Sequence, residues 1–334
     1  MNIVVLAGGL SMERDVSLVS GSLIANALNG QGNRAILVDL YFGIKKDEMT
    51  FDSEHKQYMH EIPEVAPDLE KIKKENGGRE DPVGENVIEL CKMADVTVLA
   101  LHGGVGENGK LQALLEMNGI RFTGSSSVGC MLSMDKIISK QLVRSENIPT
   151  AEWLTNKDDI ESLEKIVPCF VKPADNGSSV GITKVTDAKE LLGAIAEAER
   201  YSDKVFIEKQ VAGREFSVGV LDGKALPPIE IIAGGDFYNY KTKYQAGLAR
   251  EICPAELDEK ETLKISGYAE RIHNILHLGS YSRIDFILDQ KGEFYFLEAN
   301  ALPGMTPTSL LPQEARAAGI SYEDLCMKII ELSK

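Results

Sequence analysis

Residues 282–300 read SRIDFILDQKGEFYFLEAN, and the fold turns on how this stretch pairs with itself. Two apolar, strand-like runs, Ser282 to Leu288 and Phe294 to Leu297, flank Asp289-Gln290-Lys291-Gly292, whose composition is that of a hairpin turn. Side chains alternate faces along a strand, so Arg283 and Asp285 share one face, as do Glu298 and Asn300. A hairpin can then bring Asp285, Glu298 and Asn300 together as three oxygen donors, a set that suits Mg²⁺ shared with substrate phosphates. Two such ions can neutralise a transferring phosphoryl group. On spacing alone, an exposed hairpin with ordinary charges is the alternative.

Working outward, Glu215 to Val220 and Ala225 to Ile232 are further strand-like runs, which makes an antiparallel sheet of this half. The loop Gly234 to Pro254 has the length of an active-site lid. A helix over 258–278 puts Ile265, Ala269, Ile272 and Leu276 on one face. Cys169-Phe170-Val171 and Val205-Phe206-Ile207 are short strands with a helix near 187–200 between them. Residues 125–147 read as one helix, with Met131, Met134, Ile137, Ile138 and Leu142 on one side. The first third alternates strands (Ile3–Ala7, Ala35–Leu40, Val96–Leu101) with helices, the first capped by Ser11, and so implies a parallel sheet with covered faces. The fold class is therefore α/β followed by α+β.

Length and composition set outer limits. A chain of 334 residues suits two or three domains. The formal charge of −15 argues against nucleic acid as a main partner, because phosphate backbones need a positive surface. A small anionic ligand stays compatible, since a basic pocket can sit inside an acidic protein. Five scattered cysteines without a C-x-x-C pair point to reduced thiols in the cytoplasm. The N-terminus runs directly into a strand with no leader-like segment, and no apolar run approaches the roughly 20 residues of a membrane helix.

Four further segments carry candidate chemistry. Lys172 ends an apolar strand and opens the small-residue loop KPADNGSSVG, whose backbone N–H groups can cradle phosphate; a plain turn is the alternative. Lys136 follows Ser133-Met134-Asp135 on a helix, where a lone lysine is usually solvated. In GGLSMERDVS, residues 8–17, Glu13 near a helix N-terminus can bind an ammonium group or simply complement the helix dipole. His102, just past a strand, lies at the edge where α/β sites form. Beyond Asn300, Thr306 can cap a helix with Pro307 in its first position, and that N-terminus is a ready carboxylate site.

Taken in order, GGLSMERDVSLVSG, LHGGVGENG, SMDK, FVKPADNGSSVGITKV, FYNYKTKY, SRIDF and FLEANALPGMTPTSL make the chain resemble the D-alanine–D-alanine ligases of the ATP-grasp superfamily over nearly its whole length. The resemblance implies an ATP-grasp fold behind an N-terminal parallel α/β domain: residues 1–123, a central subdomain 124–211, and a C-terminal subdomain 212–334 with a mobile loop at 234–254. It implies ATP held by Lys136, Lys172, Ser179, Glu208 (adenine), Glu215 (ribose), Phe237 and Lys243, and two Mg²⁺ ions, replaceable by Mn²⁺, on Asp285, Glu298 and Asn300. It further implies that Glu13 anchors the first ammonium group with His102 nearby, and that Arg283 and the Gly304 N–H stabilise an oxyanion. Ser309 and Leu310 would border the second amino acid, while Ser178, Tyr244 and Glu13 would form a network that closes the lid and excludes water.

The implied reaction joins two D-alanines through an acylphosphate, for bacterial peptidoglycan, in a cytoplasmic homodimer. Tyr244 favours a peptide over an ester product, and Leu310 favours D-alanine over D-serine. Asn108 stands where the family commonly has aspartate, and Lys241-Thr242 replace a more usual acidic-small pair. Alternatives are a D-alanine–D-serine ligase or another ATP-grasp carboxylate–amine ligase. A non-catalytic nucleotide sensor would be expected to lose Asp285, Glu298, Asn300 or Arg283, and a nicotinamide dehydrogenase would need the absent G-x-G-x-x-G.

Overall fold

The computed structural model describes residues 1–51, 57–63, 65, 67–175, 177, 181–233 and 249–333. Ser178, Ser179, Phe237, Lys243 and Tyr244, and most of the expected lid, lie outside these described residues. Strands β1 (Asn2–Ala7), β2 (Arg34–Asp39) and β3 (Val96–Leu99) form a parallel sheet in the order β2-β1-β3. Ile3 to Ala7 are wholly buried, as an unbroken apolar strand with both faces covered must be. Helices α1 (Arg14–Gly30), α2 (Leu69–Glu75), α3 (Val87–Met93) and α4 (Lys110–Met117) belong to this region. The sheet ends direct Gly8 to Glu13 and His102 to Glu107 to a common edge.

The expected helix over 125–147 is two helices, α5 (Ser127–Met134) and α6 (Lys136–Ser145). Asp135 breaks them: its backbone is extended (φ −80°, ψ 103°), and its carboxylate accepts the Ile137 and Ile138 N–H groups. An aspartate side chain competes for backbone donors in this way and so starts a new helix. The expected apolar face is also overturned. Met131 and Ile138 are exposed, whereas Ser133, Lys136, Ser139, Lys140 and Val143 are buried. A polar helix face turned inward is the first structural sign of a site.

Next, β4 (Trp153–Thr155), β5 (Cys169–Pro173), β6 (Thr183–Val185) and β7 (Val205–Lys209) make an antiparallel sheet in the order β4-β7-β5-β6, with α7 (Ile160–Lys165) and α8 (Leu191–Glu199). The second antiparallel sheet runs β11-β10-β8-β12-β13, from β8 (Gly213–Leu221), β10 (Ile229–Ala233), β11 (Ala249–Ile252), β12 (Tyr281–Asp289) and β13 (Phe294–Asn300), with β9 (Lys224–Ala225) on β8. Part of the expected 234–254 loop is thus strand, since β11 pairs with β10 from Ala233↔Ala249 to Glu230↔Ile252. Helix α9 (Glu259–Ile275) starts at an Asp258/Glu261 capping box and lays Ile265, Ala269 and Ile272, with Leu276 just beyond its end, into the sheet.

Phe216, Phe286, Phe294 and Phe296 fill that interface, with Phe216 and Phe286 edge-to-face against Phe294 at 5.9 and 6.5 Å. Each such burial contributes about 1.5–3 kcal/mol, and the ring geometry adds up to about 1 kcal/mol more. The last helices are α10 (Leu310–Ala317) and α11 (Tyr322–Glu331). Helix α11 returns to the N-terminal core, where Leu325, Cys326, Ile329 and Ile330 are buried. Arg121 fastens it by donating to the Ile330 and Ser333 carbonyls. Among the described residues, no helix is long and apolar enough to cross a membrane.

Candidate active site

The hairpin expected from residues 282–300 forms, with Asp285 opposite Glu298 and Arg283 opposite Asn300. A one-residue irregularity follows: Phe286 pairs with Phe296, so Leu297 is the extra residue of a β-bulge. The bulge switches the parity of β13. Phe294 and Phe296 face the core on one side of it, while beyond it Ala299 is the buried residue and Glu298 and Asn300 face the cleft. Asp285 is nearly buried and accepts hydrogen bonds from Ser217 Oγ (2.7 Å), Asn300 Nδ2 (3.0 Å) and Arg283. Glu215 lies two positions before Ser217 on β8 and shares that face.

These donors fit a hard divalent cation. Two carboxylates and an amide carbonyl on one face offer oxygen only, with no thiolate or imidazole among them. No group of three His, Cys, Asp or Glu side chains gathers at a metal-binding distance among the described residues. Three protein oxygens, from Asp285, Glu298 and Asn300, leave coordination positions for phosphate and water, so the set suits an ion that completes its shell with these rather than a closed protein cage.

Cations approach from α6 and β5. Lys136, at the start of α6, is buried, not solvated, and its Nζ stands 3.8 Å from Glu298 Oε2. Lys172 Nζ donates to Glu208 Oε2 at 2.6 Å. On the opposite oxygen of Glu208, at 2.6 Å, stands a lysine that the sequence did not single out, Lys140. Burial alone would raise the Glu208 pKa, but the Lys140 and Lys172 charges outweigh it and hold the carboxyl below its ordinary range.

The N-terminal sheet edge supplies the other wall. Ser11 does not cap α1; it ties two loops, donating to the His102 carbonyl at 2.7 Å while accepting from the Glu13 N–H at 3.3 Å. Glu13 occupies the N-cap position and is almost buried. Gly103 takes a positive φ of +68°, and a Cβ there would lie 3.4 Å from Glu13 Oε2. Burial holds the His102 imidazole below its usual pKa, and the Arg283 charge adds to that against the opposing Glu13 carboxylate. Glu107, unremarked in the sequence because its turn looked like a connector, accepts from Gly103 N–H at 2.5 Å. Burial, then the Glu13 carboxylate, push its carboxyl up to about 8.

Glu13, His102, Glu107, Lys136, Gly177, Arg283, Glu298, Asn300 and Gly304 all line one cleft of about 730 Å³, its mouth included. Below it, the expected Thr306–Pro307 helix start is displaced: α10 begins at Leu310 with Ser309 at the N-cap. Ser309 Oγ is engaged with Thr306, at 2.8 Å from its Oγ1 and 3.1 Å from its N, and a Cβ on Gly304 would come within 2.8 Å of it. Leu310 packs with Ile229 and Ile231.

One more carboxyl escaped the sequence. Glu314, wholly buried on α10, accepts the Gly219 N–H at 3.0 Å and leaves Oε2 without a hydrogen-bond partner. Gly219 is the strand partner of Arg283. Only the apolar surroundings of Glu314 in the fold reveal it, since EAR in a helix reads as surface.

Family models described as D-ala D-ala ligase N-terminus and D-ala D-ala ligase C-terminus match residues 2–125 and 141–331. The D-alanine–D-alanine ligase of Pediococcus pentosaceus is 42% identical over 342 aligned positions, covering 99% of this chain and 97% of that one. That of Lacticaseibacillus casei is 39% identical, covering 99% and 95%.

The chain belongs to the D-alanine–D-alanine ligase family.

Solved ligases of this family share its architecture. The Bacillus anthracis D-alanine–D-alanine ligase complexed with ATP superposes with a TM-score of 0.75 at 29% identity, covering 99% of this chain and 95% of that one. The Coxiella burnetii D-alanine–D-alanine ligase gives 0.76 at 26% identity, covering 99% and 92%. The ATP-grasp fold expected for a D-alanine–D-alanine ligase is thus the fold of this chain.

Proposed function

We propose that this protein is an ATP-dependent ligase that joins two D-alanines into D-alanyl-D-alanine, releasing ADP and phosphate. One observation carries the reading: in a member of this family, Arg283, Glu298, Asn300 and Lys136 face Glu13 and His102 across a single cleft. In the first step a D-alanine carboxylate attacks the γ-phosphate of ATP and forms an acylphosphate. In the second, the amine of another D-alanine attacks the acyl carbon and phosphate leaves.

Each residue has a role in that sequence. Glu13 anchors the first ammonium group, and neutral His102 lies beside it. Lys136, Lys172 and Ser179 face the phosphates, Glu208 the adenine and Glu215 the ribose, with Phe237 and Lys243 added from the lid. Magnesium held by Asp285, Glu298 and Asn300 would neutralise charge on the transferring phosphoryl group. Arg283 and the Gly304 N–H stabilise the oxyanion of the second step as preorganised donors. Ser309 and Leu310 border the second D-alanine, and the apolar setting of Leu310 favours a methyl side chain over a hydroxymethyl. Ser178, Tyr244 and Glu13 close the site against water on the strength of the sequence resemblance. Residues 1–123, 124–211 and 212–334 are the working domains, a homodimer in the cytoplasm is the expected assembly, and peptidoglycan synthesis is the use of the product.

Purified protein with ATP, Mg²⁺ and D-alanine should release ADP and phosphate and form the dipeptide, read by product mass. ADP release without dipeptide would defeat the assignment. D-serine, D-lactate and L-amino acids offered in competition identify the preferred second substrate.

A further inference from the structure

Glu208 is buried between two lysines, one more than neutrality requires. Lys172 holds Oε2 and Lys140 holds Oε1, each at 2.6 Å. The two lysines are not equivalent. Lys140 is fully buried on α6; it pairs with Glu208 Oε1 by charge and donates its hydrogen bond to the Phe296 carbonyl on β13 at 2.7 Å. Its ammonium lies 5.9 Å from the Phe206 ring centre and 5.2 Å from that of Phe296. It is therefore fixed by three elements, α6, β7 and β13. Lys172 retains some exposure at the end of β5, and the chain from there leads to Gly177 on the cleft wall.

Burying a second ammonium carries a large desolvation cost. Burial indeed pulls Lys140 below the usual lysine range. That cost is offset if one of the two cations must leave. An ammonium that turns toward nucleotide phosphate abandons its carboxylate, and a lone buried carboxylate is more costly still. We propose that Lys140 is a positioning residue, the permanent counter-ion of Glu208, which frees Lys172 to exchange that carboxylate for the phosphate oxygens of a nucleoside triphosphate. The Oε2 that Lys172 vacates is then an acceptor for a ring amine. This inference rests on the ATP site proposed above.

The test is titration calorimetry of the full chain with a non-hydrolysable ATP analogue and Mg²⁺, alongside KM values for ATP and D-alanine. Among the described residues Lys140→Met leaves Glu208 paired with Lys172 alone, so nucleotide affinity should fall at least tenfold while the KM for D-alanine moves less than twofold. The decisive comparison removes the anion. In a Glu208→Gln background no carboxylate needs a counter-ion, so adding Lys140→Met should change nucleotide affinity by less than about twofold.

A pin between the two sheets would behave differently, losing affinity equally in both backgrounds, and that result would overturn the proposal. If Lys140→Met alone does not fold, the comparison of Glu208→Gln with the double variant still decides. Wild-type protein that binds no nucleotide would sink the ligase reading together with this one. Wild-type protein that binds while Lys140→Met binds equally well would sink this one alone.

Discussion

Arg283 and Asp285, two positions apart on one strand, are joined by a bidentate pair: Nε to Oδ1 at 3.0 Å and Nη2 to Oδ2 at 2.9 Å. The fork fixes the guanidinium plane before any substrate arrives, and preorganised donors are what stabilise developing negative charge. Ser217 and Asn300 hold Asp285 from its other sides, so the arginine is anchored through the carboxylate to two further strands.

Replacing Arg283 by Lys keeps the charge and loses the fork. Turnover should fall about 100- to 1,000-fold, the usual cost of one oxyanion donor, with the KM for ATP little changed. Steady-state kinetics check this; a loss confined to KM would remove the arginine from the second step.

Glu298→Gln should cut turnover far more than stability. Glu298 is half-buried at the cleft and faces Lys136, so the amide loses a charge where a cation would sit and little packing. We expect kcat to drop by about 100-fold or more with a melting point within a few degrees of wild type. An unaltered rate would mean that the metal site lies elsewhere.

Glu314 gives a pH-dependent stability. Its carboxyl is pushed up to about 8 by burial, from an ordinary 4.5. A raised folded-state pKa means that the folded protein binds the extra proton, so the stabilisation is complete below about 4.5 and is lost as pH rises through about 8. Glu314→Gln, which keeps an acceptor for the Gly219 N–H, should melt with a shallower decline between pH 5 and 9. Glu107, also near 8, supplies the decline that remains. Identical pH profiles for variant and wild type would refute the neutral carboxyl.

Gly219→Ala tests the same contact by volume. The new Cβ would lie 2.5 Å from Leu311 Cδ1 and 2.6 Å from Glu314 Oε2, both in buried side chains. Overpacking of this kind costs about 1–3 kcal/mol, visible as a lower denaturation midpoint. Because Gly219 pairs with Arg283, a fall in kcat should accompany it.

Much of the site was legible because strand alternation is a strict rule. It places Arg283 with Asp285 and Glu298 with Asn300 from the sequence alone. The rule was silent on the bulge, although a signal was present: Phe294, Phe296, Glu298 and Asn300 share one parity, and they cannot all share one face. Helices were harder. The apolar residues of α6 suggested one inward side, but a helix at a polar cleft turns its lysines in, and periodicity alone does not say which face a site claims. A single aspartate at 135 also divides a helix without disturbing its period. Lys140 and Glu314 were missed because a charged residue on a helix is read as solvated until the fold shows what surrounds it, and Glu107 because its glycine-rich turn reads as a connector.

The extra residue at Leu297 has a consequence for how this chain tolerates change in length. The strand is a two-sided ribbon, and one surplus amino acid decides which of its later members look inward. Deleting Leu297 would leave the net charge intact, yet it would turn Glu298 and Asn300 toward the phenylalanine core and push Ala299 outward. A change of length at the 289–292 tip leaves this register alone, whereas a one-residue indel between Phe296 and Glu298 would point two polar side chains of the cleft into the apolar core.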